Sequence, residues 1–191
     1  GPVAPPPPTP QEIAQKIITD AQLDMPIPSQ GAQFPKAIQA KLLSILRQAK
    51  SQYGGSEDGQ QAIRHVVLRI DKRIREFSDA ESWPHVLTFI KAREVFEPNN
   101  QKYLSLIEEA ETALQRPKVT VKGLPELNGI QYVMLSFYIP LTDDKFPNEK
   151  LRLGDKSHGI KVVSIFGNKR GVMLEYMETG ERYVAFLPGS E

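Results

Sequence analysis

Residues 110–122 read AETALQRPKVTVK, and the periodicity of the chain changes within them. Before Arg116-Pro117, apolar residues recur every three or four positions, which is typical of amphipathic helices. After it, the sequence is rich in Val, Ile, Tyr and Phe and is interrupted by turn-forming residues, which is typical of short strands. The sequence therefore predicts an α+β chain, with a helical domain of about five helices at 9–116 followed by an all-β domain at 117–191. The second domain is expected to be a small antiparallel β-barrel or β-sandwich.

The helices upstream of this change are predicted from apolar stripes bounded by caps and breakers. A Thr-x-x-Glu capping box at Thr9, with Pro10 behind it, predicts the start of the first helix. The third helix has the cleanest stripe, because its apolar residues are spaced alternately by four and three positions. That stripe consists of Ile63, Val67, Ile70, Ile74 and Phe77. The other helices are expected at 35–53, from Trp83-Pro84, and after Pro98-Asn99-Asn100, and the third begins near Asp58 or Gly59.

The strands of the second domain are short and closely connected. We predict them at 118–122, 130–141, 150–153, 160–166, 171–177 and 182–187. Turn sequences at 167–170 and 178–181 are typical of hairpins, so the last three strands should form an antiparallel meander. Connections this short leave no room for helical crossovers, and a parallel sheet is therefore not expected.

The strand at 130–141 is apolar on both faces, whereas a strand with one face in water alternates with polar residues. One face carries Val133, Leu135, Phe137 and Ile139, and the other carries Ile130, Tyr132, Met134 and Tyr138. We expect both sides of this strand to be covered, either by the helical half of the same chain or by a partner protein.

The composition gives little support for catalysis. The net charge of +1 provides no overall attraction for nucleic acid or an anionic membrane, and the absence of cysteine excludes disulfides and cysteine-ligated metals. The three histidines lack the spacing that places two metal ligands on one helix face. Phosphate-binding glycine motifs and a nucleophile elbow are also missing from the sequence. We therefore predict a protein without enzymatic activity, catalytic residues, metal or cofactor.

Two residue pairs are the nearest candidates for chemistry. Ser157-His158 places a hydroxyl beside an imidazole, but adjacent residues rarely give a nucleophile its base, and turn formation explains 154–159 better. Asp143-Asp144 is a pair of carboxylates in the polar stretch 142–145, which we interpret as a solvated loop.

The third helix also carries a run of cations. They are Arg64, Arg69, Lys72, Arg73 and Arg75, and carboxylates are interleaved with them. Pairs four residues apart, such as Asp71 with Arg75, should neutralise this run. We interpret it as a solvated helix face and predict no nucleic-acid binding. The alternatives are that this face binds nucleic acid or an acidic protein partner.

The N-terminal residues 1–8 are expected to lie outside the folded part. Gly1-Pro2 resembles the residues left by a cleaved tag, and the prolines that follow favour an extended, semi-rigid linker or a disordered tail. The sequence contains no apolar run of 18 residues that would span a membrane. Contact with a membrane is expected only through an N-terminal anchor or signal that has been removed.

The last strands resemble a known family. The motifs are, in order, Leu153-Gly154-Asp155, Val162-Val163-Ser164-Ile165, Val172-Met173-Leu174-Glu175, Thr179-Gly180-Glu181-Arg182 and Val184-Ala185-Phe186-Leu187. This order is similar to the periplasmic homology-region domain of type II secretion inner-membrane clamp proteins and type IV pilus alignment lipoproteins. The resemblance covers 151–187, and the helical region lies outside it.

The resemblance implies a non-catalytic component that docks cell-envelope proteins, such as a secretin or inner-membrane pilus components, in the periplasm. Docking by strand addition would use 130–141 and the sheet edge near 182–187. The expected partner-binding residues are Val133, Leu135, Phe137, Ile139, Tyr183 and Ala185. The alternatives are a self-associating, pilus-like structural subunit with an immunoglobulin-like β domain, or a cytoplasmic adaptor.

Overall fold

The predicted α+β class is confirmed in the computed structural model, which describes residues 1–189. Five helices precede a set of antiparallel sheets. The chain divides into two compact units between Glu111 and Thr112, a few residues before the predicted boundary. We refer to them as the helical unit and the β unit. Ser190 and Glu191, which the prediction assigned to the all-β domain, lie outside the described residues.

The five helices lie close to their predicted positions. They are α1 (Pro10–Asp20), α2 (Lys36–Tyr53), α3 (Glu57–Asp79), α4 (Trp83–Phe96) and α5 (Leu104–Gln115). The capping box of α1 is formed as predicted, because the Thr9 hydroxyl accepts from the Glu12 backbone N–H at 3.2 Å and the Glu12 side chain reaches back to the Thr9 N–H. The prediction missed Ser56, which caps α3 by accepting from the Gly59 N–H at 3.0 Å.

The core of the helical unit is built around α3 and α4. The largest side chains that are fully buried there are Leu23, Leu46, Val66, Ile70, Ile74, Phe77, Val86 and Phe89. The sequence predicted an apolar stripe on α4, but this helix buries residues on most of its circumference, including His85, Thr88 and Arg93. A helix covered on most sides shows no clear stripe in its sequence.

Two arginines of α3 bind the segment between α1 and α2. The Arg69 guanidinium pairs with Asp24, and the Arg73 guanidinium donates to the Met25 carbonyl. Further along, the Phe34 ring stacks on the imidazole of His85 with 4.2 Å between centroids. Two of the cations in the predicted solvated run therefore have structural partners within the unit.

His85 is enclosed in this aromatic environment. It is 6% exposed, and its Nδ1 has no hydrogen-bond partner within residues 1–189. Burial lowers the pKa of His85 from 6.5 to about 4, because a charged imidazolium would lose its hydration there. The imidazole is therefore neutral in the folded protein at pH 7.

We expect the helical unit to lose stability as the pH falls from 6.5 to 4. In this range the unfolded chain binds a proton at His85 and the folded chain does not, so the free energy of unfolding should fall by about 3 kcal/mol. Urea unfolding at several pH values, followed by the fluorescence of Trp83, the single tryptophan, measures this loss. The variant His85→Leu cannot titrate and should lack the slope, and equal slopes in both proteins would contradict the assignment.

The β unit contains nine strands among the described residues. They are β1 (Lys118–Gly123), β2 (Glu126–Leu127), β3 (Ile130–Gln131), β4 (Val133–Ile139), β5 (Asp144–Leu151), β6 (Lys156–Ser157), β7 (Ile160–Ile165), β8 (Gly171–Tyr176) and β9 (Glu181–Phe186). The first sheet has the order β1-β4-β5, and the second sheet has the order β6-β7-β8-β9. Strands β2 and β3 form a separate hairpin. All ladders are antiparallel, and β7, β8 and β9 form the predicted meander.

One apolar cluster joins the two sheets. The first sheet contributes Val121, Val133, Leu135, Phe137 and Leu151, and the second contributes Ile160, Val162, Val172, Leu174 and Tyr176. One face of β4 is thus covered by the second sheet of its own unit. The prediction that the helical half or a partner covers this face is wrong, because the β unit supplies enough apolar surface itself. The opposite face, with Met134 and Tyr138, is half-buried.

Strand β5 differs from its prediction. The sequence indicated a strand only at 150–153 and a loop at 142–145, whereas β5 begins at Asp144. Most of its residues are exposed, so its sequence lacks the alternation that marks a half-buried strand. As the last strand of its sheet, it tolerates Pro147, which cannot donate to a ladder.

Candidate functional site

The pair Ser157-His158 lies at the β6–β7 turn and contacts Glu149 of β5. The Ser157 hydroxyl donates to Glu149 Oε2 at 2.9 Å, and His158 Nε2 is 3.0 Å from Glu149 Oε1. Both side chains therefore bond one carboxylate, and the imidazole is not placed as a base for the serine. The His158 ring also stacks on Phe146 at 4.0 Å between centroids. This arrangement links the two sheets of the β unit.

The carboxylates of Asp143 and Asp144 are both exposed and hold local hydrogen bonds. The Tyr138 hydroxyl donates to Asp143 at 2.9 Å, and the Thr142 hydroxyl donates to Asp144 at 2.7 Å. Asp143 lies in the turn with a positive φ of 59°, and Asp144 begins β5 rather than lying in a loop. Within residues 1–189, no group of three or more His, Cys, Asp and Glu side chains could hold a metal ion.

A buried ionic network lies in the helical unit. Asp71 is 5% exposed and Arg93 is 7% exposed. Asp71 Oδ1 accepts from Arg93 Nε at 2.7 Å and from the Tyr103 hydroxyl at 2.5 Å, and Lys102 Nζ lies 3.5 Å from Oδ2. Arg93 also pairs with Glu97 at 3.0 Å. The network ties α3 and α4 to the segment that leads into α5.

The pKa values in this network follow from burial and hydrogen bonding. Burial alone would raise the pKa of Asp71, but the hydrogen bonds from Tyr103 and Arg93, together with the charges of Arg93 and Lys102, outweigh it and lower the pKa. Burial and the hydrogen bond to Asp71 raise the pKa of the Tyr103 hydroxyl. Asp71 is therefore ionised and Tyr103 is protonated at neutral pH.

A small cleft opens beside this network. It is lined by Ile90, Arg93, Glu94, Glu97, Asn100, Tyr103, Leu104 and Ile107, and its volume is about 30 Å³. This volume holds about two water molecules, whereas small-molecule sites usually measure at least about 300 Å³. The cleft is too small for an organic substrate, and the network around it acts as a structural element.

The ion pair between Asp71 and Arg75 that the sequence predicted is not formed. Asp71 turns inward to Arg93, whose guanidinium otherwise has only the largely solvated carboxylate of Glu97 as a counter-charge. The neutralisation of the basic run is therefore incomplete, and Arg64, Lys72 and Arg75 remain exposed without an ion-pair partner in the described part of the chain. The exposed Leu68 lies among these cations on α3.

The exposed apolar side chains of the second sheet lie on β9. Val184 is 38% exposed and Phe186 is 45% exposed. In the β8–β9 ladder Val184 lies opposite Met173, and Phe186 lies opposite Gly171. These residues share one outward face, because paired residues of adjacent strands lie on the same side of a sheet. Strand β9 ends its sheet, and β8 is its ladder partner among the described residues.

The two residues predicted on this strand, Tyr183 and Ala185, lie on the opposite face. Both are half-buried and pack against the core of the β unit. Their ladder partners are Leu174 and Val172, which are fully buried. A strand alternates with a period of two, so an error of one residue exchanges the inward and outward sets. The outward residues of β9 therefore include Val184 and Phe186.

The other predicted partner-binding residues lie on β4. Val133, Leu135 and Phe137 are buried in the shared core of the two sheets, and Ile139 is half-buried at the end of the strand. The structure thus does not bring the six predicted residues together on one surface. Core packing accounts for the apolar character of the three buried ones.

Contacts from Arg116 hold the start of β9. The Arg116 guanidinium pairs with Glu181 at 2.5 Å and lies 5.2 Å from the centroid of the Tyr183 ring. The same guanidinium is 5.1 Å from the Tyr176 ring. The first half of β9 is therefore occupied, and its exposed apolar residues are confined to the second half.

Comparison of the chain with protein-family models, with curated proteins and with solved structures finds no match in any of the three. Across residues 1–189, no helix combines the length and the apolar character that crossing a membrane requires. The class defined by the fold is an α+β chain with a helical unit and a β unit, and the exposed apolar residues of its four-stranded sheet lie on β9. Function is therefore inferred from the geometry of the chain itself.

Proposed function

We propose that this chain is a non-catalytic docking component of a cell-envelope assembly of the type IV pilus or type II secretion kind. In this proposal the β unit is a two-sheet sandwich, and the second half of β9 is its docking surface. The observation that carries the proposal is the exposure of Val184 and Phe186 on the last strand of a sheet. The sequence resemblance at 151–187 supports the envelope setting.

The proposed occupant is an extended segment of an envelope partner, such as a secretin or an inner-membrane pilus component. Strand β1 lies near β9 but forms no ladder with it, so the backbone N–H and C=O groups on the outer side of β9 have no strand partner among the described residues, and an added strand can bond to them. Apolar side chains of the same segment would cover Val184 and Phe186. The charged pair Glu175–Arg182, at 3.0 Å on the neighbouring part of the sheet, offers polar contacts at the margin.

The docking role requires no chemistry within the chain. Ser157 and His158 both bond Glu149, and the cleft beside Arg93 has room for about two waters. Both observations support a role based on binding. The proposed location is the periplasm, and an export signal in the complete gene product would agree with it. A complete gene product without such a signal would favour the cytoplasmic adaptor.

We expect the double variant Val184→Ser with Phe186→Ser to bind a secretin or pilus partner at least about tenfold more weakly, because truncating central apolar contacts removes most of the binding energy. Binding is measured by calorimetry between the full chain and purified periplasmic domains of the secretin and inner-membrane pilus proteins encoded in the same genome. Thermal melting of the double variant should be nearly unchanged, since both side chains are exposed.

The matched control is Leu153→Ser, which removes another exposed apolar side chain of the β unit away from β9. This variant should bind like the unmodified chain. Equal binding by the double variant would exclude β9 as the docking surface. If the unmodified chain binds none of these envelope proteins, the proposed function is wrong.

A further inference from the structure

The exposed side of α3 forms a surface that the docking role does not use. Arg64, Leu68, Lys72 and Arg75 recur at intervals of four, four and three residues, so they lie on one helix face about 16 Å long. Leu68 is 65% exposed at its centre. We name this surface the α3 basic face. Its three cations have no ion-pair partner in the part of the chain that the structure describes.

A second surface of the helical unit has the opposite charge, and it also combines one exposed leucine with charges of a single sign. Leu104, Glu108 and Glu111 of α5 follow at intervals of four and three residues, and all three are exposed. Leu104 is 58% exposed. We name this surface the α5 acidic face. Each face thus presents one leucine with charges of one sign within two helical turns of it.

The residues just before α5 are anchored on α3 in the folded unit. The Tyr103 hydroxyl, one residue before α5, lies 2.5 Å from Asp71, and Lys102 Nζ lies 3.5 Å from the same carboxylate. Asp71 is on α3, one residue from Lys72 and four from Arg75. The segment that leads into α5 therefore contacts the middle of α3. Two faces of opposite charge on one unit can both be paired by a single two-fold axis.

We propose that two copies of this chain associate through the α3 basic face of each copy and the α5 acidic face of the other. Leu68 packs against Leu104 of the second copy, and Glu108 and Glu111 of that copy pair with the exposed cations. Every contact then occurs twice, and the assembly closes as a dimer. This proposal is independent of the docking role, because β9 takes no part in it.

The charge pattern favours a second copy over a nucleic acid. Glu57 and Asp79 lie exposed at the two ends of α3, so a long polyanion that followed the helix would meet negative charge at both ends. An exposed leucine at the centre also offers no contact to a phosphate backbone, whereas it suits an apolar side chain of a facing helix.

Charge exchange between two variants of the full chain tests the proposal. The first variant is Lys72→Glu with Arg75→Glu, and the second is Glu108→Lys with Glu111→Lys. Each should dimerise at least about tenfold more weakly than the unmodified chain, because its altered face meets a face of like charge. A 1:1 mixture should regain the dimer, since both contacts across the two-fold axis again pair opposite charges. Sedimentation velocity over a wide range of concentrations measures this.

Two further variants test whether dimerisation depends on the α3 basic face and not on the net charge of the chain. Lys41→Glu with Lys50→Glu changes the charge by the same amount on the exposed surface of α2 and should leave the dimer unchanged. Leu68→Ser should weaken it without any change of charge. A chain that stays monomeric at all concentrations would overturn the proposal, as would association that survives charge reversal or disappears after nuclease treatment. Because the docking variants alter β9 only, failure of either proposal leaves the other to be judged by its own experiment.

Discussion

Replacing Asp71 with Ala should lower the free energy of unfolding of the helical unit by about 3–5 kcal/mol, because the buried guanidinium of Arg93 loses its buried counter-charge and keeps only the exposed carboxylate of Glu97. Asp71 is 5% exposed and binds Arg93 at 2.7 Å and Tyr103 at 2.5 Å. The substitution therefore removes hydrogen bonds to two partners that remain in the interior. Urea unfolding followed by Trp83 fluorescence reports the helical unit, since Trp83 lies at the start of α4.

Two controls separate the buried charge from a general effect of substitution on α3. Asp79→Ala, at the exposed end of the same helix, should change the stability by less than about 0.5 kcal/mol. Combining Asp71→Leu with Arg93→Met removes both charges and should recover much of the loss, since an apolar pair needs no counter-charge. If Asp71→Ala is no more harmful than Asp79→Ala, the network does not stabilise the unit.

Replacing Phe137 with Ala should lower the free energy of unfolding of the β unit by about 3–5 kcal/mol, because the cavity left by a buried ring cannot close. Phe137 is 2% exposed in the core shared by the two sheets, and its ring lies 4.8 Å from that of His158. Phe137→Asp should unfold the β unit, since it would also bury a carboxylate. Amide hydrogen exchange of residues in β4 and β8 measures both effects.

The matched control is Phe186→Ala on β9, where the same ring is 45% exposed. Its cost should be below about 1 kcal/mol, because an exposed ring leaves no cavity when it is removed. Similar losses at the two positions would show that the apolar core is not where the structure places it. A loss confined to Phe137 would confirm that its ring is packed in the core and that the Phe186 ring is not.

Sequence patterns that depend on neighbouring residues predicted the fold well. The capping box at Thr9 and the stripe of α3 involve residues within a turn or two of each other, and both are formed in the structure. The change of period at Arg116-Pro117 predicted the order of helices and strands, since strands and helices bury residues at different intervals. Strand β5 was missed because its exposed residues leave no alternation to detect.

The candidate surfaces were harder to predict because they depend on which side of an element is covered. Alternation predicted that β9 is a strand, but it could not show whether Tyr183 or Val184 faces the core. The folded structure shows that Tyr183 packs against the core and Val184 faces outward. Similarly, the spacing of Asp71 and Arg75 suits an ion pair on an isolated helix. Burial of Arg93 beside Asp71 provides a stronger partner, which local spacing cannot reveal.

The sequence by itself determined the α+β class, the five helices and the antiparallel meander at the end of the chain, because each follows from interactions between residues close in sequence. Only the tertiary structure decided that Val133, Leu135 and Phe137 are buried by the second sheet and that Val184 and Phe186 are exposed. It also decided that Arg64, Lys72 and Arg75 remain unpaired within the described residues. Burial and ion pairing depend on contacts between distant segments, and these form only when the chain is folded.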